Sequence, residues 1–156
     1  MIALSWEIAI TQSNKWKDTG NKIVFTNGCY DLVHRGHIDL LTKAKSKGDK
    51  LIVGLNSDRS VKQLKGNDRP IQNFEDRLII INAINCVDMV VGFDEDTPDK
   101  IIKRLLPDVL VKGGDYSMNS IVGANTVISH GGSVEIIDLI PGKSTSSLID
   151  HIFKLK

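Results

Sequence analysis

I-V-F-T-N-G-C-Y-D-L-V-H-R-G-H, residues 23 to 37, is the stretch whose reading decides the fold of this chain. Ile23, Val24 and Phe25 make a short apolar run of the kind buried in a parallel sheet. Thr26-Asn27-Gly28 ends that run, as small polar residues and glycine do at the end of a strand. A second turn, His34-Arg35-Gly36-His37, leads into Ile38, Leu41 and Ala44, whose spacing of three gives one apolar helical face. The stretch therefore reads as strand, glycine-bearing loop and helix, with two histidines at the helix start. Unpaired backbone N–H groups and the positive end of the helix dipole meet there, so phosphate is the natural guest. His37, as an early helical residue, feels the same dipole, which lowers its pKa.

Outward from this unit, strand and helix signals alternate. A leading helix is expected from about Leu4 to Lys17, stopped by Asp18-Thr19-Gly20-Asn21. Leu51 to Leu55 is the second strand, and Asn56-Ser57-Asp58 can cap a short helix around Ser60 to Leu64. Lys62, Lys65 and Arg69 then mark a polar, basic loop, either solvated surface or a cover over an anionic ligand. The helix opening at Asn73 or Phe74 is apolar on more than one face from Leu78 to Ile84, which predicts deep burial or a subunit contact. Val87 to Gly92 is the third strand, Asp96-Thr97-Pro98 a helix start, and Val109 to Val111 the fourth strand, ended by Lys112-Gly113-Gly114-Asp115-Tyr116. A loose helix around Ala124 to His130, a fifth strand at Val134 to Ile137 and a final helix after Pro141 complete the series. The pattern predicts an α/β fold: a single-domain, doubly wound parallel five-stranded sheet over residues 21–156, with residues 1–20 as a leading helix. In such sheets ligands bind beyond the carboxyl ends of the strands where strand order reverses. Four loops rich in Gly, Ser/Thr and basic residues converge on that edge: Thr26 to His37, Asn56 to Arg69, Lys112 to Tyr116 and Pro141 to Ser146.

Composition removes several classes of function. A net charge of +1 gives no broad basic footprint for nucleic acid or membrane. Cys29 and Cys86 make neither a disulfide framework nor a CxxC pair, and read as small buried residues in a reducing compartment. Met1 to Ile10 lacks a basic region followed by a long apolar run, so neither a signal peptide nor a membrane span is expected, and the location predicted is the cytoplasm. His34 and His37 have no third ligand at zinc spacing. Neither a G-x-x-x-x-G-K-[ST] nor a G-x-G-x-x-G motif occurs, and no Ser-His-Asp or Cys-His arrangement is suggested. Ser144-Thr145-Ser146 is a good N-cap cluster, and with Lys143 beside it a second anion site is plausible.

Gly28 to His37, G-C-Y-D-L-V-H-R-G-H, resembles the H-x-G-H signature of the cytidylyltransferase-like nucleotidyltransferases. The similarity continues at Leu51 to Asp58, Ser60 to Pro70, Phe74 to Arg77, Asp94 to Pro98 and Pro107 to Tyr116, and Ser144-Thr145 stands at the terminal S-T motif. V-K-G-G-D-Y together with L-K-G-x-x-R-P resembles the heptose 1-phosphate adenylyltransferase branch, over roughly residues 20 to 155. The resemblance implies transfer of AMP from ATP to D-glycero-D-manno-heptose 1-phosphate for lipopolysaccharide core synthesis, with release of pyrophosphate. It implies His34 and His37 as the catalytic pair on the phosphates, and Thr26, Asn27, Gly28, Tyr30 and Gly36 beside them. Lys112, Gly113, Gly114 and Asp115 would shape the nucleoside side, and Ser144, Thr145 and Ser146 the phosphate side. Asn56, Asp58, Lys62, Lys65, Arg69 and Arg77 are implied contacts for acceptor or pyrophosphate. Mg²⁺ would ride on phosphate oxygens and water, with Asp31 either helping to hold it, orienting a histidine or serving as an ordinary turn residue. A homodimer or higher homo-oligomer and a separate kinase chain complete the implied partners.

Two departures bear on substrate choice. Many relatives have Phe where this chain has Tyr30, which adds a hydroxyl near the site. The glycerol-phosphate cytidylyltransferases carry Arg-Thr ahead of their terminal motif, whereas this chain reads Leu139-Ile140-Pro141-Gly142-Lys143, which weakens a CTP assignment. Two alternatives stay open at this level: a cytidylyltransferase acting on glycerol 3-phosphate or a similar phospho-alcohol, and a nucleotide-binding module without turnover.

Overall fold

The apolar runs become parallel strands in the computed structural model, which describes residues 1–114 and 116–155. Six strands are present among the described residues: β1 (Ile2–Ala3), β2 (Ile23–Gly28), β3 (Lys50–Asn56), β4 (Met89–Phe93), β5 (Val109–Gly113) and β6 (Ser133–Ile137). They lie in the order β1-β4-β3-β2-β5-β6 and every pairing is parallel. The connecting helices are α1 (Trp6–Asp18), α2 (Arg35–Lys45), α3 (Asp58–Lys65), α4 (Phe74–Asn82), α5 (Asp99–Leu105), α6 (Ala124–Ser129) and α7 (Thr145–Phe153), with a 3₁₀ turn at Met118–Ser120.

The sheet has six strands rather than the five expected. The extra one, β1, has two residues, too few to show a period of two, and it pairs Ile2 with Val90 and Ala3 with Val91. The helix expected from Leu4 begins at Trp6, because Ser5 caps it and its Oγ accepts the Ile8 N–H. Helix α1 is anchored at both ends: the Trp6 indole donates to the Gly92 carbonyl at 2.8 Å, and Lys17 Nζ donates to the carbonyls of Leu105 and Leu106.

The alternation within each strand splits the core into two layers. Ile23, Phe25, Ile52, Met89 and Leu110 face α1, α5 and α6, with Ala9, Ile101, Ile102, Leu105 and Val127 packed against them. Val24, Leu51, Val53, Val109 and Val111 face the other way, onto Leu41 and Ala44 of α2 and Ile81 of α4. Both faces being covered explains why the strand sequences are continuously apolar. Helix α4 is not buried all round: Ile81 is inside, Ile79 is 60% exposed, and the other buried member of that helix is Arg77.

From β2 the chain builds outward through β3 to β4, then crosses back to lay β5 on the other side of β2 and β6 beyond it. Strand order therefore reverses between β2 and β5, where Val24 pairs with Val109 and Phe25 with Leu110. The crevice beyond Gly28 and Gly113, at the carboxyl ends of these two strands, is where such a sheet holds a ligand. No helix among the described residues is long and apolar enough to cross a membrane.

Candidate active site

Helix α2 begins with an unusual cap built from two imidazoles. His34 is the N-cap, in extended conformation, and its Nδ1 accepts the Gly36 N–H at 3.1 Å. His37, three residues on, accepts the His34 N–H on its own Nδ1 at 3.4 Å, completing a reciprocal capping box. The rings stack with centroids 3.9 Å apart and planes inclined by 23°. Since each Nδ1 must offer a lone pair to an N–H, the proton of each neutral ring sits on Nε2. Burial, then the neighbouring His34 and Lys65, bring His37 down to about 4. Burial and the Lys143 ammonium also hold His34 below its ordinary value. The lowered pKa expected for His37 is present, with burial as its main cause.

Two glycines make room for this arrangement. A Cβ on Gly36 would stand 2.9 Å from His34 Cε1 and 3.2 Å from the Lys143 carbonyl oxygen. A Cβ on Gly28 would meet the Tyr30 ring at 2.9 Å. Tyr30 adopts a positive φ of 45°, is 3% exposed, and sets its ring edge-on to His37 at 5.1 Å. Its hydroxyl and that of Thr26 are both buried without a hydrogen-bond partner among the described residues, and burial raises the Tyr30 pKa.

Beside this turn, at the β2/β5 reversal, lies a cavity of about 500 Å³. It brings together ten of the residues singled out from the sequence: Asn27, Gly28, Tyr30, Asp31, His37, Asn56, Lys65, Arg69, Lys112 and Thr145. Lys112 Nζ reaches across the reversal to Asn27 Oδ1 at 3.4 Å and lies 5.7 Å from the centroid of the Tyr116 ring. Burial lowers its pKa, and neither Lys112 nor Lys65 has a carboxylate partner among the described residues. Asp31 is fully engaged: it accepts from Arg69 Nε at 2.6 Å and from the N–H groups of Ile71 and Gln72. Burial pushes its carboxyl up, but the Gln72 and Ile71 donors and Arg69 outweigh that and hold it below the usual range. Its oxygens are spent on the 66–72 loop, which leaves little for a metal. No cluster of three His, Cys, Asp or Glu side chains suited to a metal ion occurs among the described residues.

The remaining candidates are placed differently. His34 opens onto a neighbouring cavity of about 300 Å³ with Lys143, Ser144 and His151. Ser144 caps α7, its Oγ accepting the Ser147 N–H at 3.0 Å, and Ser146 is exposed on the first turn. Helix α7 thus brings a second N-terminus to the wall between the two cavities, with Thr145 on the larger side. Gly36 and Thr26 are buried behind the wall. Gly113 faces Leu40 and Leu139, and Gly114, at φ 120°, turns the chain so that Tyr116 can fold back. Lys62 and Asp58 stay outside the larger cavity, Asp58 paired with Arg77, whose side chain is fully buried. Asp115 lies outside the described residues. The sequence reading missed the far wall of the cavity, formed by Thr97, Pro98, Ile121 and Val122. Thr97 and Pro98 stood in a segment of the family resemblance and at a helix start without being read as site residues, and Ile121-Val122 was an apolar pair outside any regular period.

Chemically, the site offers two lysines, Lys65 and Lys112, without carboxylate partners among the described residues, two helix N-termini and two imidazoles whose protonation burial disfavours. No activated nucleophile is found among the described residues: burial raises the Cys29 thiol pKa, and none of them places a base in hydrogen-bond contact with it. These features suit binding and charge stabilisation of a polyphosphate.

Comparison with known proteins agrees with this chemistry. The Cytidylyltransferase-like family model matches residues 25–148. The bifunctional protein HldE of Azorhizobium caulinodans is 54% identical over 134 residues, which are 86% of this chain and 28% of that protein. HldE of Geobacter metallireducens is 53% identical over 138 residues, 88% of this chain and again 28% of the relative. The chain thus spans just over a quarter of the length of these curated relatives. Among solved structures, a lipopolysaccharide core biosynthesis protein from Thermoplasma volcanium superimposes with a TM-score of 0.62 at 27% identity, covering 78% of this chain and 98% of that one.

Proposed function

Because the chain belongs to the cytidylyltransferase-like family, we propose that it transfers AMP from ATP to a heptose 1-phosphate, releasing pyrophosphate. The observation that carries this reading is the cavity at the strand reversal, where Lys65, Lys112, His37 and the α7 N-terminus converge with no activated nucleophile among the described residues. The choice of heptose rests on the V-K-G-G-D-Y and L-K-G-x-x-R-P resemblance, supported by the identity to HldE and the likeness to a lipopolysaccharide core biosynthesis protein.

An oxygen of the acceptor phosphate attacks the α-phosphorus in line with the departing group. The new P–O bond forms as the α–β bridge breaks, and its electron pair leaves on pyrophosphate. The acceptor phosphate is already an anion, so no strong general base is needed, and the protein contributes position and electrostatics. The Nε2–H of His37 donates to phosphate oxygens in this cavity where charge grows, and that of His34 serves the part of the phosphate chain that extends toward the neighbouring cavity onto which it opens. Arg69 spends Nε on Asp31, and its Nη groups have no hydrogen-bond partner among the described residues, so with Lys65 they are available to the acceptor or pyrophosphate. With the Asp31 oxygens committed, Mg²⁺ would sit on triphosphate oxygens and water, neutralising their charge when bound.

A pyrophosphate-release screen tests the reading, with ATP and CTP each offered against several sugar 1-phosphates and glycerol 3-phosphate. Release with ATP and a heptose 1-phosphate is expected. Release only with CTP and glycerol 3-phosphate would make the protein a phospho-alcohol cytidylyltransferase. Tight nucleotide binding with no release for any pair would leave it a binding module.

A further inference from the structure

Arg77 heads the fully buried side chains among the described residues by volume, ahead of every core phenylalanine, leucine and isoleucine. Stability alone does not call for a charge there, because a well-packed apolar side chain of similar volume serves as well or better. What the guanidinium does is hold three carbonyls. Nη1 donates to Cys29 O at 2.6 Å and to Asn56 O at 2.9 Å, and Nε donates to Gln72 O at 3.1 Å. Nη2 is neutralised by Asp58 at 2.7 Å.

The positions of those carbonyls matter. The last register pair of β2 and β3 is Gly28 with Leu55, so Cys29 and Asn56 are the first residues beyond the ladder, where the two strands would part. Both line the larger cavity. Gln72 belongs to the loop that carries Arg69, and its N–H is held by Asp31 while its carbonyl is held by Arg77. One planar group thus joins the segment leading to His37, the end of β3 and the basic wall.

We propose that Arg77 is a positioning residue. It sets the gap between the segment that leads to His37 and the wall that carries Lys65 and Arg69, and it touches neither substrate. This rests on the reading of the cavity as the site of AMP transfer, and it reassigns Arg77 from acceptor contact to the frame behind the site. Lysine in its place has one nitrogen and cannot span the three carbonyls, so the gap relaxes while the N-termini of α2 and α7 stay intact.

The test is Arg77→Lys beside Arg77→Ala, with urea melts giving the folded fraction. Per folded molecule, kcat of Arg77→Lys should fall about 10²-fold, the scale expected of a misplacement near 1 Å. The acceptor KM should rise, while the ATP Kd measured by calorimetry stays within about twofold of wild type. Millimolar methylguanidinium should restore part of the kcat of Arg77→Ala. Activity that falls only as the folded fraction falls, or kcat per folded molecule equal to wild type, would overturn the proposal. If the wild type itself releases no pyrophosphate, the transfer reading fails separately. The clamp is then read from the amide resonances of Cys29 and Asn56, and their staying unmoved in Arg77→Lys would overturn it.

Discussion

Two imidazoles sharing one helical turn are held toward the neutral form here chiefly by burial, and protonating either Nδ1 would also cost the N–H bond that it accepts. For His37 the consequence for stability has a definite sign. Below about pH 6.5 the unfolded chain takes up a proton at this residue, whereas the folded protein resists until about pH 4. Unfolding therefore binds a proton in that window, and stability falls as the solution is acidified through it, by up to on the order of 3 kcal/mol. His37→Gln removes the titrating group, so its urea midpoint should change less than that of wild type between pH 7 and pH 5. Equal acid sensitivity in both proteins would mean that His37 is not held neutral. Tyr30 shows a limit of reading residues one at a time. Its identity is plain in the sequence, but the room for its ring beside His37 depends on Gly28 lacking a Cβ, which is a property of the pair.

Helix α2 is an element whose first turn is specialised at the expense of ordinary helix preference. Alanine normally stabilises a helix over glycine by about 1 kcal/mol. At position 36 the order should reverse, because a Cβ there meets His34 on one side and the Lys143 carbonyl on the other. Gly36→Ala should lose about 1–3 kcal/mol, as overpacked sites do. Turnover should fall further than stability explains, since the clash pushes His34 off its cap. A thermal melt and kcat on the same preparation check both, and an unchanged melting temperature would show that the turn has room to give. Elements of this kind were legible: strand, turn and amphipathic helix each carry a period or a punctuating glycine. Strand β1 was not, since two residues carry no period and its pairing with β4 lies 88 positions away in sequence, Ile2 to Val90. The role of Arg77 was equally hidden, because a charged residue at a helical position reads by default as surface.

At the scale of the whole molecule, the convergence of loops on one edge followed from strand–helix alternation alone, and the cavity stands at the strand reversal, where the fold rule puts it. The site role of its far wall, Pro98, Ile121 and Val122, was not readable, because those residues meet the cavity through the path of α5 and the 3₁₀ turn. The assembled site predicts direct transfer with both substrates bound together. Labelled pyrophosphate should not exchange into ATP while the sugar phosphate is withheld, and robust exchange would return attention to Cys29 and the terminal serines. The two sides of the cavity also differ in how firmly they belong to the protein. Its floor is β2, paired on both flanks and buried from Ile23 to Thr26, whereas α7, which supplies Thr145, buries none of its residues. Amide exchange should accordingly be slowest at Val24 and Phe25 and fastest through Thr145–Phe153, with bound nucleotide slowing α7 most. On the proposed reading, departure of a tightly held anion then needs only a local opening that costs little, while the histidines assigned to act on it keep their places for the next turnover.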